Sequence, residues 1–269
     1  MAFDVVVVAY NSSGYLPRLA SSLQGAGVPR SVVIVDNASI DNSVGVARRQ
    51  DWGGSLNVIQ NPRNVGFGAA MNQGVKSLER GSEFVLLINP DVQLEPQTVP
   101  SLLAALISDD QLACVGPRME TSDGQAVSSA RALPTLWTVA SRRVRELVPH
   151  NVQVMDVGWV CGAVMLWRRQ AFEQIGGFSP DYFLYYEDVD ICRKAWHAGL
   201  KIATVAEAKA VHDQGHGKAP SKLLRKYSSS SRRIYAKKWL GPCGSVAAFV
   251  AEFAEEVARR KHSKAGPSK

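Results

Sequence analysis

Blocks of apolar residues and blocks of mixed polarity alternate along the first half of the 269-residue chain. Four apolar runs rich in β-branched residues predict buried strands. The stretches between them, with apolar residues every three to four positions, predict helices. The predicted strands are residues 4–10, 31–35, 56–60 and 84–88. The predicted helices are residues 14–23, 41–49, 66–80 and 96–107, with Ser39 as a candidate cap of the second and Pro96 in the first turn of the fourth.

Polar residues of this half cluster where the predicted strands end. Continuously apolar strands separated by helices indicate a parallel sheet covered on both faces, and such sheets bind ligands at the carboxyl ends of their strands. The residues at those ends are Asn11, Asp36, Asn37, Asn61, Asn64 and Asn89 to Asp91. The pattern therefore predicts an α/β fold with a nucleotide site at one edge of the sheet.

The second half has a different pattern. Residues 113–118, 156–167, 201–205 and 209–212 predict strands of a mixed sheet, whereas residues 131–151 show no clear period and fit a mobile loop or short helices. Residues 186–198 predict a helix that ends at Gly199. Residues 222–239 and 245–261 predict two C-terminal helices.

Charge is concentrated at the C-terminal end. The chain carries a net charge of +7, with a balance of +10 over residues 217–269 and −3 over the rest. This distribution argues against a nucleic-acid binder and predicts a localised patch facing anions. The four cysteines form no C-x-x-C pair, and no leader or membrane-spanning pattern is seen, so we expect a cytoplasmic protein.

Two segments of the first half offer nucleotide chemistry. Asp36 could accept the imide N–H of uracil or thymine, although a carboxylate at a strand end also serves as a turn or cap residue. The glycine-rich segment 64–74 could approach an anion at a helix N-terminus, although close helix–sheet packing explains its glycines nearly as well.

Three further groups offer metal and proton-transfer chemistry. Asp91, in an Asn-Pro-Asp turn, could ligate Mg²⁺ or Mn²⁺ through oxygen. Glu187, Asp188 and Asp190 open a helix, where the macrodipole favours acids and should keep a general base ionised. Aromatic residues of segment 181–186 could stack on a sugar, and His212 ends a predicted strand, with His216 expected in a loop.

Taken in order, these segments resemble the inverting family 2 glycosyltransferases of GT-A fold, and within them the rhamnosyltransferase-like branch. The resemblance runs from about residue 3 to residue 212. It rests on residues 7–11 (Val-Val-Ala-Tyr-Asn), 35–39 (Val-Asp-Asn-Ala-Ser), 64–68 (Asn-Val-Gly-Phe-Gly), 89–91 (Asn-Pro-Asp), 162–168 (Gly-Ala-Val-Met-Leu-Trp-Arg) and the run from Gly176 through 186–193 (Tyr-Glu-Asp-Val-Asp-Ile-Cys-Arg) to Gly199.

The resemblance implies a role for each matching residue. The donor nucleotide would be bound by Tyr10, Asn11, Asp36, Asn64, Gly66, Asn89, Pro90 and Asp91. The metal would be held by Asp91 and His212. The catalytic base would be Asp188, with Glu187 beside it. The donor sugar and acceptor would contact Trp159, Cys161, Gly162, Ala163 and Tyr186.

One residue departs from the family pattern. Asn89 stands where the family has the first acid of its Asp-x-Asp metal motif. A neutral amide binds a hard cation less well than a carboxylate does. Metal affinity would therefore depend on Asp91, His212 and the donor diphosphate.

The resemblance also implies a domain plan and a reaction. We expect a GT-A domain over residues 1–216, with a nucleotide-binding half over 1–118 and an acceptor and catalytic half over 119–216. A basic helical extension over 217–269 follows. The expected reaction is inverting transfer of a sugar, with L-rhamnose from dTDP-rhamnose the first guess, to a hydroxyl of a glycan or polyprenyl-diphosphate-linked acceptor in cell-wall or polysaccharide synthesis.

Several alternatives stay open at this point. The donor could be a UDP-hexose, since uracil and thymine present the same edge to Asp36. The chain could be a non-catalytic nucleotide-sugar or glycan-binding module. A nucleotidyltransferase is disfavoured because no Gly-rich, Lys-bearing loop follows the first strand. The basic C-terminal helices could contact anionic lipid at the inner face of the cell membrane or pack on the core by their apolar stripe, and a homodimer is possible.

Overall fold

The first half folds around a parallel sheet, as its sequence pattern predicts. A computed structural model describes residues 2–143, 145–149, 152–212 and 221–264, with side chains up to Glu255. His216 and Lys218 lie outside these residues. In chain order the first elements are β1 (Phe3–Ala9), α1 (Leu16–Ala26), β2 (Ser31–Asp36), α2 (Ser43–Arg49), β3 (Ser55–Gln60), α3 (Phe67–Ser77) and β4 (Phe84–Ile88). Strands β1 to β4 pair in parallel in the order β3-β2-β1-β4.

The second half extends the same sheet with strands of mixed direction. Its elements are β5 (Val92–Leu94), α4 (Thr98–Ser108), β6 (Leu112–Glu120), β7 (Ala126–Val127), β8 (Ala130–Arg131), α5 (Leu136–Ser141), β9 (Val154–Asp156), β10 (Trp159–Val160), β11 (Val164–Arg168), α6 (Arg169–Gln174), α7 (Glu187–His197), β12 (Lys201–His212) and α8 (Lys222–Lys264). The sheet continues from β4 through β11, β6, β12 and β5. Strand β11 runs antiparallel to both of its neighbours, which confirms the predicted mixed sheet.

Apolar side chains cover both faces of the sheet. Residues of α1 and α4 pack on one face, and residues of α3 and α7 pack on the other. The continuously buried pattern of β1, β4 and β11 follows from this double coverage, since neither side of these strands meets water. The carboxyl ends of the parallel strands are left open at one edge.

Three element predictions are wrong in detail. Residues 156–167 do not form one strand but contribute to β9, β10 and β11. The chain bends at Gly158, where a Cβ atom would lie 2.2 Å from the backbone nitrogen of Leu133. Ser39 does not cap α2, since that helix begins at Ser43 and the Ser39 hydroxyl accepts the Asn11 N–H instead. Pro96 precedes α4, which begins at Thr98.

The aperiodic segment 131–151 contains the short helix α5. Thr135 caps this helix in a capping box with Thr138. The two strands predicted at 201–205 and 209–212 are one strand, β12, with a bulge between Val205 and Lys209. Gly199 follows α7 at φ +78°, as expected for the residue after a helix C-terminus.

The two predicted C-terminal helices are present as the arms of α8, which is kinked at Gly241 (φ +65°). Glu252 of the second arm accepts a hydrogen bond from Ser229 of the first at 2.8 Å, so the arms lie against each other. Tyr235 is fully buried, and Ile234, Trp239 and Leu240 pack against the core. The apolar stripe of the first arm therefore faces the protein, as one of the two expected arrangements requires.

Candidate active site

The polar residues predicted at strand ends lie along one edge of the sheet. Asp36 is the last residue of β2 and pairs with Ala9 at the end of β1. The turn Asn89-Pro90-Asp91 follows β4, the strand on the other side of β1. His212 ends β12 and pairs with Val92, directly after that turn.

Asp36 has an unused hydrogen-bond acceptor. The residue is 4% exposed, and its Oδ2 accepts the Ser39 N–H at 3.2 Å. Its Oδ1 is buried and meets no donor among the described residues. Because a buried carboxylate oxygen without a donor is unfavourable, this atom fits the N–H of a bound pyrimidine.

Tyr10 and Asn11 border this carboxylate in different ways. The Tyr10 ring is 53% exposed, as a wall of an open pocket requires. Asn11 adopts φ +53°, and its Oδ1 accepts the Ile40 N–H at 2.9 Å. The Asn11 side chain thus joins the loops after β1 and β2, and its strained backbone marks the edge of the site.

Sequence reasoning missed a polar network beneath these loops. Ser12 N–H donates to Ser43 Oγ at 2.8 Å, and Ser13 N–H donates to Asp41 Oδ2 at 3.0 Å. Although burial raises the pKa of Asp41, hydrogen bonds from Ser43 and Ser13 bring it down to about 2. Short polar residues between two strand ends were the signal that could have revealed this network.

Asn64 and Gly66 shape the loop before α3. Asn64 Oδ1 accepts hydrogen bonds from Asn37 Nδ2 and from the Gly66 N–H, both at 2.9 Å. Gly66 has φ +90°, and a Cβ atom there would lie 2.7 Å from the Phe183 carbonyl oxygen. Phe67 N–H donates to that oxygen at 3.0 Å. The glycine is therefore required by contact with the segment that leads into α7.

Asp91 and His212, the predicted metal pair, are adjacent. His212 Nε2 lies 3.4 Å from Asp91 Oδ2, and both side chains are about nine-tenths buried (10% and 11% exposed). Asn89 Oδ1, Asp91 Oδ1 and His212 Nε2 are buried without hydrogen-bond partners in the described part of the chain. No group of three or more His, Cys, Asp or Glu side chains suited to a metal occurs among the described residues. The three unpartnered atoms still fit a cation that takes further ligands from a bound diphosphate.

Asp188 is held in the first turn of α7 by two backbone donors. Its Oδ2 accepts the Gly162 N–H at 3.0 Å, and its Oδ1 accepts the Val189 N–H at 2.8 Å. Before it, Tyr185 and Tyr186 adopt φ +69° and +67°. This strained approach turns the start of the helix towards the site.

Burial acts against the helix terminus at two acids of α7, Glu187 and Asp188. Burial raises the pKa of Asp188, against the opposing effect of the Gly162 and Val189 hydrogen bonds and of Arg131. Burial and the neighbouring Asp188 raise the pKa of Glu187 well above its ordinary value. Glu187 Oε2 is buried without a partner in the described residues. Glu187 is buried and Asp188 is half-buried, and this loss of water outweighs the favourable effect of the helix start on their negative charge.

The third acid, Asp190, binds the C-terminal helix. It is fully buried and accepts hydrogen bonds from Tyr182 Oη at 3.1 Å, Trp239 Nε1 at 2.6 Å and Lys238 Nζ at 2.9 Å. Asp190 therefore has a structural role. Lys238, one of the basic C-terminal residues, helps to hold α8 against α7.

The loop between β10 and β11 connects the metal turn to Asp188. Asn89 N–H donates to the Ala163 carbonyl at 2.9 Å, and Gly162, one residue earlier, donates to Asp188. Burial and Asp188 raise the pKa of the Cys161 thiol to about 12, so this thiol is not a nucleophile near neutral pH. Trp159 is 8% exposed and donates from Nε1 to the Ala132 carbonyl at 3.2 Å.

A cavity of about 380 Å³ opens beside Asp188. Trp159, Cys161, Tyr185 and Tyr186 line it, together with residues of segment 128–145 and of α8. Among the predicted sugar and acceptor residues, Gly162 and Ala163 lie in the adjoining loop. Asp188 thus lines a part-aromatic cavity and is connected to the strand-end turn at Asn89 through the loop of Gly162 and Ala163.

Comparison with known proteins agrees with this geometry. The sequence profile of glycosyltransferase-like family 2 matches residues 2–236. The chain is 31% identical over 266 residues to the N-acetylglucosaminyl-diphospho-decaprenol L-rhamnosyltransferase of Mycobacterium tuberculosis (strain H37Rv), covering 88% of this chain and 85% of that one. It is 34% identical over 251 residues to the rhamnosyltransferase WbbL of Escherichia coli K12, covering 87% and 92%.

A solved structure shows the same fold. The crystal structure of GalNAc-T7 with UDP, GalNAc and Mn²⁺ superposes with a TM-score of 0.67 at 17% identity, covering 95% of this chain and 54% of that one. The predicted GT-A fold is thereby confirmed. The family match covers most of the chain, and named relatives are glycosyltransferases. The chain therefore belongs to glycosyltransferase family 2 and is a glycosyltransferase.

Proposed function

We propose that the enzyme transfers L-rhamnose from dTDP-rhamnose, with inversion, to a hydroxyl of a lipid-linked or glycan acceptor in cell-wall or polysaccharide synthesis. Two relatives named as rhamnosyltransferases support the sugar, and one of them is named for a diphospho-decaprenol acceptor. The observation that carries the proposal is Asp188, fixed by Gly162 between the strand-end residues and the cavity.

In the proposed mechanism Asp188 accepts the proton of the acceptor hydroxyl as that oxygen attacks the anomeric carbon. The bond from this carbon to the donor diphosphate breaks, and the nucleoside diphosphate leaves from the opposite face. Because this mechanism uses one base and no enzyme nucleophile, the configuration of the anomeric carbon is inverted. Burial raises the Asp188 pKa towards the operating range, which strengthens the base while the two N–H donors fix its direction.

The donor side is assigned to the strand-end residues. Asp36 Oδ1 would accept the pyrimidine N–H, with the Tyr10 ring beside it. Asp91 and His212 would hold Mg²⁺ or Mn²⁺, with the Asn89 amide oxygen adjoining. When bound, such a cation offsets the negative charge that grows on the leaving diphosphate.

Product analysis of the wild-type enzyme tests this proposal. With a short-chain prenyl-diphospho-N-acetylglucosamine as acceptor, we expect dTDP release from dTDP-rhamnose and a product of inverted anomeric configuration by NMR. Faster turnover with a UDP-hexose would identify the alternative donor class. A retained configuration would contradict the single-displacement mechanism.

The variant Asp188→Asn tests the base. We expect kcat to fall by about 10²- to 10⁴-fold, since general-base catalysis typically contributes that much. Donor affinity should persist. The matched control is Asp181→Asn, an exposed acid of the same approach segment. Near-wild-type turnover by a folded Asp188→Asn enzyme would remove Asp188 from its role.

The second arm of α8 offers a membrane contact. Val246, Phe249, Val250 and Phe253 are 63%, 67%, 51% and 65% exposed and lie at helical spacing on one face. Such a face, next to the basic first arm of α8, can insert among anionic headgroups. None of the helices in the described part of the chain is long and apolar enough to cross a bilayer.

Liposome flotation tests the contact. We expect binding to vesicles that contain phosphatidylglycerol and its loss in a Phe249→Ser/Phe253→Ser variant. Val28→Ser/Ile40→Ser changes two apolar residues elsewhere that are at least as exposed and should bind normally. Equal flotation of all three proteins would contradict this contact. A homodimer stays a prediction, and analytical ultracentrifugation would test it.

A further inference from the structure

Among the described residues, five arginines and one carboxylate line the cavity beside Asp188. The arginines are Arg131, Arg142, Arg143, Arg145 and Arg232, and the carboxylate is Asp188. An excess of guanidinium groups around one small cavity indicates an anionic ligand, because arginine binds phosphate in a planar, two-pronged geometry.

Internal ion pairs neutralise only part of this charge. Arg142 Nε and Arg232 Nη1 lie 2.7 Å and 3.5 Å from the same atom, Glu255 Oε1, so that two cations share one carboxylate. Arg131 donates to Ser128 Oγ and stacks over the Trp159 ring at 4.9 Å. Arg143 and Arg145 are exposed and have no carboxylate within 4 Å in the described residues.

Arg232 supplies an independent sign of a missing ligand. The residue is 7% exposed, yet its Nε is buried and meets no acceptor in the described residues. A buried donor of a charged group is costly to leave without an acceptor. A phosphate oxygen in the cavity would provide one.

The lining of the cavity favours an anion of the acceptor over one of the donor. None of the donor candidates Asp36, Asn89, Asp91 and His212 lines the cavity, whereas the base Asp188 does. We propose that this arginine-lined cavity binds a phosphate or diphosphate group of the acceptor and so directs its hydroxyl to Asp188. The inference rests on the proposed sugar transfer and adds the group that the enzyme recognises.

Acceptor kinetics with an arginine variant test the inference. The probes are a short-chain prenyl-diphospho-N-acetylglucosamine, a ribitol-phosphate oligomer and uncharged octyl N-acetylglucosaminide. For Arg143→Gln/Arg145→Gln we expect the KM of a phosphate-bearing acceptor to rise tenfold or more, with kcat and donor KM unchanged and the octyl glycoside unaffected. Arg48→Gln/Arg49→Gln removes the same charge from two exposed residues of α2 and should behave as wild type.

The probes separate the sources of the phosphate. If only the KM of the prenyl-diphosphate compound depends on the arginines, the acceptor is a glycolipid. If only the KM of the ribitol-phosphate oligomer depends on them, the acceptor is a polyol-phosphate polymer. Either result supports the inference. A direct titration of the prenyl-diphosphate probe into enzyme saturated with dTDP should show the same arginine dependence without turnover.

Other outcomes overturn it. Equal acceptor KM values in variant and wild type, with sugar transfer intact, would show that the cavity does not bind the acceptor phosphate. The proposed function would not be affected. Weaker vesicle flotation of the variant with unchanged KM for detergent-solubilised acceptor would also refute it and assign these arginines to membrane contact. Arginine-dependent binding of the prenyl-diphosphate probe without any sugar transfer would instead refute the proposed function. It would still support phosphate binding in the cavity.

Discussion

The Gly162 N–H donates to Asp188 Oδ2 at 3.0 Å, which fixes the orientation of the proposed base. A Cβ atom at Gly162 would lie 3.2 Å from Asp188 Cβ and 3.5 Å from Oδ2. We expect Gly162→Ala to displace the carboxylate and lower kcat by about tenfold to a hundredfold, since small errors of alignment are costly. Donor KM should stay constant in steady-state assays. A normal kcat would show that this contact does not position the base.

The pH dependence of kcat/KM should report the raised pKa of Asp188. A base acts only when deprotonated, so activity should fall as pH decreases through that pKa. Because burial raises the pKa, we expect the acidic limb to lie above the ordinary aspartate value of about 3.9. Burial and Asp188 raise the pKa of Glu187 further, so Glu187 should be protonated while Asp188 titrates, and Glu187→Gln should leave the acidic limb in place. An acidic limb at the ordinary value in wild type would contradict the effect of burial.

Glu187→Gln should also stabilise the protein at neutral pH. The folded state binds the Glu187 proton more tightly than the unfolded chain, where glutamate titrates near pH ~4.3. The stability from this proton is present below that pH and is lost as pH rises towards the folded pKa. Glutamine never ionises, so we expect a gain in unfolding free energy on the order of 1 kcal/mol at neutral pH and little gain at low pH. Urea denaturation at several pH values would measure the change in unfolding free energy. A change of the same size at every pH would show that it does not come from the Glu187 proton.

Restoring an acid at Asn89 should tighten metal binding. Asn89 Oδ1 is buried without a partner, close in sequence to Asp91. A carboxylate is a stronger ligand for a hard cation, so we expect Asn89→Asp to lower the Kd for Mn²⁺ by about tenfold in calorimetric titrations with dTDP present. His212→Ala should raise the Kd for Mn²⁺.

Chelation with EDTA should abolish wild-type turnover. Activity that survives chelation would remove Asp91 and His212 from metal binding.

Asp190→Asn should destabilise the enzyme with little direct effect on chemistry. The substitution leaves Lys238 without its carboxylate and weakens the bonds from Tyr182 and Trp239. Because Lys238 is 34% exposed, we expect a loss below the ~3–5 kcal/mol of a fully buried ion pair, on the order of 1–3 kcal/mol, seen as a lower Tm. Below that Tm, kcat should stay within a few-fold of wild type. A large loss of kcat without a change in Tm would give Asp190 a part in catalysis.

The sequence predicted the sheet and the strand ends at which the candidate site lies more accurately than it predicted the hydrogen-bond partners of each polar side chain. Periodicity identified β1 to β4 because their side chains are buried on both faces. The break at Gly158 was hidden because it depends on contact with Leu133, far away in sequence. The resemblance places Asn64 beside the nucleotide, and only the folded loop reveals that its side-chain carbonyl accepts hydrogen bonds from Asn37 and Gly66.

The arginine cavity could not be predicted for the same reason. Four of its arginines lie in the aperiodic segment 131–151, and the fifth, Arg232, comes from α8, about ninety residues later in the chain. Likewise the pKa of Asp188 depends on its depth of burial, which the position at a helix start does not reveal.

The hydrogen bond from Phe67 N–H to the Phe183 carbonyl has a kinetic consequence. It joins the loop that borders the proposed donor pocket to the segment between α6 and α7, where Tyr185 and Tyr186 line the cavity. A donor that orders the first loop must thereby order the wall against which the acceptor rests. Substrate addition should accordingly be sequential, with the nucleotide sugar binding first and the nucleoside diphosphate leaving last.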